Sequence, residues 1–407
     1  MRVIVIGGGA AGQIAAAEAA GNGHSVTLLE QNEKLGKKVY ITGKGRCNLT
    51  NDAEREEFFA HITHNPRFLY SAFACFDNRD IRELIEGERV PLKVERGGRV
   101  FPESDKSSDV LKALERVVRS RGVDIRLNTK AEKILTEDGK VTGVFVDGKK
   151  LAADAVILAT GGASYPQTGS TGDGYRFAKE LGHTVLDPKP SLVGLDTVES
   201  WPFGLTGLTL KNVGIRAYRG KKRIYEDQGE LLLTHFGVSG PLILLLSSLI
   251  ADDPQGTGIS IDLKPGLDEQ QLDARLLRDL EENRRKTVKG AFHALLPERL
   301  LEAVLKEAGI DGEKPADSFT KEERKKLSAS LKDMRLTVKA PRPLDEAIIT
   351  RGGISIREVN SSTMESKLVK GLYFAGEVLD VDALTGGYNL QIAWSTGALA
   401  GRSISNE

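Results

Sequence analysis

The hydrophobic pattern at the start of the chain predicts a βαβ unit. Four β-branched residues, Val3–Ile6, are typical of a buried strand and lead into a glycine-rich turn. An alanine-rich helix is expected from about 10 to 20, and a second apolar strand, Ser25–Leu29, ends at Glu30. Strand, glycine turn, helix and strand at this spacing are typical of a dinucleotide-binding domain.

Two later apolar segments have the pattern of further strands of the same sheet. Residues 152–159 run into a Thr-Gly-Gly turn, and Leu372–Ala375 leads into Gly376 and Glu377. The first segment alone is equally consistent with any buried parallel strand that ends in a tight turn. The second is followed by a loop and by an apolar helix that begins near Gly387. A strand and helix that merely close the sheet would explain this periodicity, but not the glycine pairs or Glu377.

The pattern between these segments changes twice. From about 191 to 263 short alternating segments such as Leu208–Val213 and Gly229–Thr234 predict an antiparallel β-domain. From 268 to about 333, leucines recur at helical spacing, as at Leu272 and Leu276. We therefore predict a nucleotide-binding domain formed by 1–190 and 343–407, an inserted β-domain at 191–265 with a return through 334–342, and an inserted helical domain at 266–333.

Composition is that of an ordinary globular chain. The 407 residues are 40% hydrophobic, enough for two or three cores, and 57 basic residues balance 57 acidic ones. The two cysteines, Cys47 and Cys75, form no paired motif, which argues against a disulfide framework, a zinc knuckle or a dithiol centre. The apolar runs at 3–6 and 241–246 are too short for a signal peptide or a membrane span. We expect a cytoplasmic protein with no metal site.

The glycine-rich turn has the features of a phosphate cradle. Gly7 permits the tight turn, Gly9 allows the backbone to approach a pyrophosphate, and Gly12 lets helix and strand pack closely. The helix that begins at Ala10 and Ala11 supplies free backbone N–H groups and the positive end of its dipole. A glycine-rich turn without a ligand is the alternative.

Two acidic residues distinguish among the dinucleotides. Glu30 suits the hydroxyls of an adenosine ribose and would repel a 2′-phosphate, which favours FAD or NAD over NADP in this slot. Glu377 suits the hydroxyls of a ribityl chain. The helix that follows Gly387 would face the N1/C2 edge of an isoalloxazine, where its dipole favours the negative charge of the reduced flavin. The sequence therefore predicts FAD.

Four longer motifs carry a resemblance to a known family. They are TGKGRCNLTN at 42–51, GGASYPQTGSTGDG at 161–174, GEVLDVD at 376–382 and TGGYNLQ at 385–391. With them the whole chain resembles the bacterial flavoproteins that include the YhiN and BaiN-like proteins and the aminoacetone oxidases. The resemblance implies an α/β fold of the two-dinucleotide-binding-domain type, with a Rossmann-like domain that binds FAD noncovalently and the inserted domains described above. Ala383–Leu384 departs from it, because the family pattern has a smaller residue there.

The motifs and the resemblance together give a predicted set of FAD-binding residues. These are Gly7, Gly9, Ala10, Ala11, Gly12, Glu30, Gln31, Lys38, Gly45, Arg46, Ala131, Thr160, Gly161, Gly376, Glu377, Gly387, Asn389 and Leu390.

The geometry of the family also implies that the loop from Lys34 to Asn51 passes close to the flavin. Its catalytic candidates are Arg46, Cys47 and Asn48. Cys47 could give a proton to a carbon while flavin N5 delivers hydride, or it could be a buried structural cysteine. Arg46 could bind a substrate carbonyl or phosphate, or neutralise the FAD pyrophosphate.

Five further side chains could act near the substrate. Tyr165, Tyr388 and Asn389 are candidates for lining it, with Asn389 also in the predicted FAD set. His235 and His293 could act as acid–base groups, but a lone histidine is more often a satisfied hydrogen-bonding residue, so neither is assigned a role.

The resemblance implies a reductase or an oxidase, and the residues also fit a third function without turnover. The first is an FAD-dependent reductase of an activated C=C bond, such as that of a uridine in large-subunit ribosomal RNA, with NADH or NADPH as a transient donor because no second complete glycine fingerprint is present. The second is a small-molecule amine oxidase that acts on aminoacetone or a similar compound and uses oxygen. The third is a flavin-binding assembly factor without turnover. The oligomeric state stays open.

A basic stretch bears on the RNA hypothesis. Residues 321–342 hold eight basic and three acidic side chains, a net charge of +5. Such a stretch is usually a solvated helix face, and the alternative is a surface that contacts phosphates. The insertion has few aromatic residues for base stacking.

Overall fold

The computed structural model describes residues 1–405, which divide into two compact units. One unit combines Met1–Ser191 with the chain from Pro343 onward, and the other is Leu192–Arg342. The strands are β1 (Arg2–Ile6), β2 (Ser25–Leu29), β3 (Thr50–Asn51), β4 (Ile62–His64), β5 (Leu92–Glu95), β6 (Arg99–Pro102), β7 (Asp124–Arg126), β8 (Ala131–Glu137), β9 (Lys140–Val146), β10 (Lys149–Ala152), β11 (Ala155–Leu158), β12 (Val185–Ser191), β13 (Leu195–Thr197), β14 (Thr209–Arg219), β15 (Lys222–Leu233), β16 (Gly237–Ser239), β17 (Gly258–Asp262), β18 (Met334–Pro341), β19 (Ile349–Ile354), β20 (Leu372–Phe374) and β21 (Asp382–Ala383). The helices are α1 (Ala10–Gly21), α2 (Lys37–Gly45), α3 (Arg55–Ala60), α4 (Tyr70–Cys75), α5 (Asn78–Gly87), α6 (Ser107–Ser120), α7 (Asp173–Glu180), α8 (Pro241–Leu249), α9 (Glu269–Glu282), α10 (Val288–Ala291), α11 (Glu298–Glu307), α12 (Lys321–Lys332) and α13 (Tyr388–Arg402).

A parallel five-stranded sheet forms the centre of the first unit. Its strand order is β20-β11-β1-β2-β7. Ile6 is in register with Leu29 on one side and Leu158 on the other, and Leu158 is in register with Phe374. Because these strands run parallel and end at the same level, the segments that follow them meet at one edge of the sheet, where ligands bind in open α/β sheets.

Glycines allow two helices to pack closely on this sheet. A Cβ atom at Gly397 of α13 would lie 2.4 Å from the carbonyl oxygen of Ala11 in α1, and one at Gly401 would lie 2.5 Å from that of Ala15. Residues of this size let the two helix backbones approach, so that both helices are almost entirely buried. The last helix thus fixes the first one beside the glycine-rich turn.

Smaller sheets complete the first unit. Strands β8, β9 and β10 form an antiparallel sheet, as do β3, β6 and β5. Two antiparallel pairs join distant segments of the chain, β12 with β19 and β4 with β21. The second of these pairs aligns His64 with Asp382.

The second unit is a closed six-stranded barrel with helices packed against it. The strand order is β13-β16-β15-β14-β17-β18, and the strands lie within the ranges that the sequence predicts as β-domain. One apolar cluster joins barrel residues such as Ile215 and Ile259 to helix residues such as Leu276 and Leu301. The division of this unit into separate β and helical domains stays a prediction.

One helix of the second unit was not predicted. Helix α8 lies in the range predicted as strands only, and Pro241 occupies its first turn, where a missing N–H costs nothing. Helices α1, α8 and α13 are rich in apolar residues and contain 12, 9 and 15 residues. Within residues 1–405, no helix combines the length and the apolar character needed to cross a membrane.

Candidate functional site

The glycine-rich turn lies at the carboxyl edge of the parallel sheet. Gly7 has a φ of +105°, and a Cβ there would lie 2.5 Å from the carbonyl oxygen of Ala159. A Cβ at Gly12 would lie only 1.8 Å from the carbonyl oxygen of Gly7, whereas one at Gly9 would meet no atom within 4 Å. Gly7 and Gly12 are therefore required by the packing of the protein itself, and Gly9 leaves open space at the N-terminus of α1.

Glu30 is held beside this turn at the end of β2. Its carboxylate is buried, and Oε2 accepts a hydrogen bond of 2.8 Å from the backbone N–H of Gly8. Oε1 accepts from the backbone N–H of Asn32 at 2.8 Å and from its side-chain amide at 2.7 Å. A carboxylate offers about four acceptor positions, so Glu30 retains capacity for a hydroxyl donor.

Lys38 and Glu377, which the sequence predicts separately as FAD contacts, form an ion pair. Nζ of Lys38 lies 2.7 Å from Oε2 and 3.0 Å from Oε1 of Glu377. Ser164 accepts a hydrogen bond from Nζ at 2.7 Å and donates to Oε1 of Glu377 at 3.1 Å. The backbone N–H of Thr350 donates to the same oxygen at 2.8 Å. The pair is mostly shielded from solvent, and it fixes the carboxylate that follows β20.

Two buried hydroxyls near these groups have no protein partner. Among residues 1–405, neither Oγ1 of Thr160 nor the hydroxyl of Tyr175 has a hydrogen-bond partner. Burial and the carboxylates of Glu377 and Asp380 raise the pKa of Tyr175. Buried polar groups are nearly always paired, so such atoms mark places that a ligand or water completes. Together with the open space at Gly9, they fit a ligand that carries phosphates and hydroxyls, as FAD does.

The loop after α2 holds the N-terminus of α13. Gly387 has a φ of +99°, and a Cβ there would lie 2.3 Å from the carbonyl oxygen of Thr50. Oδ1 of Asn48 accepts from the backbone N–H of Gly387 at 3.0 Å. The side-chain amide of Asn51 donates to the carbonyl oxygen of Gly386 at 3.0 Å. Asn48, which the sequence predicts as a catalytic residue, therefore contacts and fixes the glycines before α13.

Arg46 is surrounded by acidic residues. Its Nε donates to Asp105 at 2.7 Å, its Nη2 pairs with Glu95, and its guanidinium lies 4.1 Å from the centre of the Phe101 ring. The hydrogen bonds that Arg46 donates to Glu95 and Asp105 raise its pKa. Its charge is therefore balanced within the protein. This disfavours the hypothesis that Arg46 neutralises the FAD pyrophosphate.

Cys47 lies in an apolar cluster. The residue is fully buried with Val39, Leu49 and Trp394, and it has a φ of +60°. Burial raises the pKa of its thiol to about 12. Of the two hypotheses for this residue, the structure favours the packing role over proton donation to a substrate.

A Cys47→Ala variant distinguishes these roles. We expect stability to fall by about 1–2 kcal/mol, because a small buried side chain is truncated, and the rate of flavin turnover to stay within about threefold of the wild type. Chemical denaturation and stopped-flow flavin absorbance measure the two quantities. A loss of rate by about a hundredfold or more, with the fold intact, would support Cys47 as the acid.

The other predicted FAD residues lie in several elements of the first unit. Nε2 of Gln31 donates to the carbonyl oxygen of Gly169 at 2.8 Å, and Gly161 follows β11 with a φ of +73°. A Cβ at Gly376 would lie 2.9 Å from the Cβ of Ala11, which brings the turn after β20 against α1. The remaining positions lie at the start of α1 (Ala10), the end of α2 (Gly45), the start of β8 (Ala131) and the first turn of α13 (Leu390).

The candidates for the substrate side have other contacts. Tyr388 is buried and stacks on His61, with ring centres 4.5 Å apart. Oδ1 of Asn389 accepts from the backbone N–H of Ala383 at 2.9 Å, and its amide donates to the carbonyl oxygens of Ala383 and Leu384. Asn389 therefore fixes the loop in which the chain departs from the family pattern. Tyr165 is partly exposed, and His235 and His293 are exposed in the second unit.

Sequence reasoning missed Ser164, Thr350 and Tyr175. Ser164 lies inside the motif at 161–174, so its place in that motif was a usable signal. Thr350 and Tyr175 carry no such signal, because their roles arise only from contacts between segments far apart in the chain.

Comparison with known proteins gives concordant matches. The family model described as the HI0933-like protein Rossmann domain matches residues 1–403. The 3-dehydro-bile acid delta(4,6)-reductase of Clostridium scindens is 34% identical over 99% of this chain and 99% of its own length. The ribosomal RNA dihydrouridine synthase of Haemophilus influenzae is 32% identical over 99% of this chain and 98% of its own length.

A solved structure supports the fold alone. The 3-ketosteroid-delta4-(5alpha)-dehydrogenase of Rhodococcus jostii superposes with a TM-score of 0.50 and 15% identity, covering 98% of this chain and 95% of that one. The family model and the observed parallel sheet, with its separate antiparallel barrel and helices, confirm the predicted fold class.

Proposed function

Because this chain belongs to the HI0933-like Rossmann family, we propose that it is an FAD-dependent reductase that takes hydride from a reduced nicotinamide and saturates an activated C=C bond. The observation that carries the proposal is the match, over nearly the full length of each protein, to relatives named as a delta(4,6)-reductase and a dihydrouridine synthase. Dihydrouridine is uridine with its ring C=C bond saturated, so both names describe reduction. Family membership confirms the coarser prediction, a flavin-dependent oxidoreductase with FAD as cofactor.

Different residues at the sheet edge would bind different parts of the cofactor. The open turn at Gly9 and the N-terminus of α1 would hold the pyrophosphate, where backbone N–H groups and the helix dipole stabilise negative charge. Glu30 would accept from the adenosine ribose. Glu377, fixed by Lys38, would accept from the ribityl chain. FAD, when bound, supplies the two-electron chemistry that no side chain of this site provides.

Helix α13 would stabilise the other end of the cofactor. Its N-terminus follows Gly386 and Gly387 and is held by the loop that contains Asn48 and Asn51. The positive end of the dipole would lie toward the pyrimidine edge of the isoalloxazine and favour its reduced, negatively charged form. On this proposal Asn48 acts by positioning backbone groups.

Anaerobic mixing with nicotinamides tests the reaction. NADH or NADPH is expected to bleach the bound flavin, and an activated alkene such as 2-cyclohexen-1-one is expected to restore its colour. In a separate assay in air without nicotinamide, release of hydrogen peroxide from oxygen with aminoacetone as substrate would instead indicate the oxidase. A bound flavin that neither nicotinamide bleaches at a useful rate would indicate an assembly factor.

The charges of the basic stretch at 321–342 bear on the hypothesis that the substrate is ribosomal RNA. Five of the eight basic side chains in this stretch have acidic partners within 4 Å, in the pairs Arg324–Asp273, Lys325–Glu322, Lys332–Asp262, Arg335–Asp333 and Arg342–Asp196. Three of these partners, Asp273, Asp262 and Asp196, lie outside the stretch and are not part of its net charge of +5. The surface therefore carries less uncompensated charge than the sequence count indicates, which favours a solvated face. Mapping dihydrouridine in ribosomal RNA after deletion of the gene tests this substrate directly, and unchanged modification would eliminate it.

Charge reversal on α12 provides a second test of the RNA hypothesis. If RNA contacts this helix, Lys325→Glu with Lys326→Glu is expected to weaken binding and to lower the salt slope of log K by about 1.4–1.8, the contribution of two phosphate contacts. Lys149→Glu with Lys150→Glu, at two exposed positions in β10, is the matched control. Filter binding across a salt series gives both slopes. Equal slopes for the two variants would exclude α12 as the RNA surface.

A further inference from the structure

A cluster of ionisable side chains surrounds the pairing of β4 with β21. Asp382 is fully buried, and its Oδ2 accepts hydrogen bonds from Ser191 at 3.0 Å and Thr63 at 3.3 Å. Its Oδ1 lies 3.7 Å from Nε of Arg351, which is also buried. Burial raises the pKa of Asp382, and the charge of Arg351 opposes that shift. The pairing of the two strands thus rests on a polar network that is largely shielded from water.

His64 and Asp380 form a second pair in this cluster. Nε2 of His64 lies 3.0 Å from Oδ2 of Asp380. The side-chain amide of Asn65 donates to the same oxygen at 3.0 Å and to the backbone carbonyl of Asp380 at 2.7 Å. The Asp380 side chain is 6% exposed and that of His64 is 32% exposed. A fixed, buried carboxylate therefore orients an imidazole that solvent or a small molecule can reach.

The place of this pair in the fold connects it with the proposed flavin site. Asp380 lies three residues after Glu377 and six residues before Gly386, between two proposed contacts of the cofactor. A Cβ at Gly353 would lie 3.2 Å from the ring of Tyr175 and 2.6 Å from the carbonyl oxygen of Val378, so the unpartnered Tyr175 hydroxyl belongs to a ring packed beside the segment that links Glu377 to Asp380. The His64–Asp380 pair therefore belongs to the same edge of the sheet.

We propose that His64 supplies the proton in the reduction of the C=C bond and that Asp380 positions its ring, an inference that rests on the proposed function. Saturation adds a hydride to one carbon and a proton to its neighbour. FAD, held at Glu30 and Glu377, would in its reduced form supply the hydride, which carries the two electrons of the reduction. The imidazolium of His64 gives the proton from Nδ1, the nitrogen that does not face Asp380, becomes neutral, and recovers a proton from solvent. Atoms and electrons then balance.

The charges around His64 suit this role. The hydrogen bond that His64 donates to Asp380 raises the pKa of His64, and the charges of Asp380 and Asp382 add to the effect, while burial and Arg351 lower it. Since the net direction is upward, the imidazolium persists above the usual value of about 6.5. The pair therefore adds stability that is fully present below that value and is lost as pH rises through the folded pKa. The rate of reduction should fall over the same range.

Two variants and a control test the proposal in the full-length, flavin-loaded protein. The flavin is reduced, and its reoxidation by 2-cyclohexen-1-one is followed anaerobically against pH. His64→Gln is expected to slow reoxidation by about a hundredfold or more and to abolish the alkaline decline. Asp380→Asn is expected to move that decline to lower pH. His293→Gln, at an exposed histidine in the second unit, is expected to match the wild type.

An NMR titration of the ligand-free protein supplies a readout independent of turnover. The His64 ring should titrate above 6.5 in the wild type and at lower pH in Asp380→Asn, with circular dichroism confirming that both are folded. The role of His64 would be overturned if the wild type reoxidises with the enone and His64→Gln keeps the wild-type pH profile and a rate within about twofold of the wild type. The reductase proposal would still stand in that case. A wild type that reduces neither the enone nor a steroid enone nor ribosomal RNA would overturn the reductase, and the role of His64 with it.

Discussion

A Gly12→Ala variant is expected to be purified without flavin and to unfold with a free energy lower by about 3 kcal/mol. The added Cβ would lie 1.8 Å from the carbonyl oxygen of Gly7 and 3.0 Å from its carbonyl carbon. Both are backbone atoms, so no side-chain rotation relieves the contact, and the turn must move away from α1. Urea denaturation measures the loss of stability, and the flavin absorbance of the purified protein measures its cofactor content.

Gly9→Ala is the matched control for this effect. Because no atom lies within 4 Å of the added Cβ, stability should fall by no more than about 1 kcal/mol, the cost of alanine at a helix N-cap. The dissociation constant for FAD should nevertheless rise by about tenfold or more, since the methyl group occupies space assigned to the pyrophosphate. Wild-type FAD affinity in Gly9→Ala, measured by fluorescence titration, would contradict the cradle.

Glu377→Gln is expected to weaken FAD binding by about 10- to 100-fold, the loss of roughly 1.5–3 kcal/mol for a hydrogen bond to a charged group. The substitution keeps the shape of the side chain but removes the charge that Lys38 balances at 2.7 Å. Lys38→Met should weaken binding as well, because the carboxylate would lose its fixed orientation. Isothermal titration of the apoprotein with FAD measures each variant.

A double-mutant cycle measures the interaction energy between Lys38 and Glu377 separately from their contacts with other residues. Lys38→Met and Glu377→Gln should show a coupling energy of about 1–3 kcal/mol, as residues in direct contact do. The control cycle uses Lys289 and Glu302, an exposed pair in the second unit, for which about 0.2–1 kcal/mol and unchanged FAD affinity are expected. Additive effects of Lys38→Met and Glu377→Gln on FAD affinity would show that the pair does not act as a unit.

The local parts of the fold were predictable from the sequence. The βαβ unit was expected at Val3–Ile6, at 10–20 and at Ser25–Leu29, and the structure has it at Arg2–Ile6, Ala10–Gly21 and Ser25–Leu29. Each of these elements has its own hydrophobic period and ends at a glycine or a charged residue, so neighbouring residues suffice to define it. The prediction of an FAD site rests on the same signals, because turn geometry and helix termini are also local.

The partners of individual side chains were not predictable in this way. Arg46 carries a positive charge in a suggestive motif, but the acids that balance it, Glu95 and Asp105, are about 50 residues away or more. The pairing of Lys38 with Glu377 depends on the packing of the whole sheet edge. His64 belongs to no motif, and its candidate role can be recognised only in the folded structure, where β4 pairs with β21. Contacts of this kind are set by tertiary structure.

The strand order of the central sheet has a consequence during synthesis. Strand β11 is complete at Leu158, but its neighbour β20 begins at Leu372, after the continuous second unit has been made. At the usual rate of translation, the apolar edge of β11 stays unpaired for roughly 10–40 seconds until β20 has been synthesised. Unpaired strand edges promote association between chains, so the yield of folded protein should depend on how well chaperones cover this edge on the ribosome.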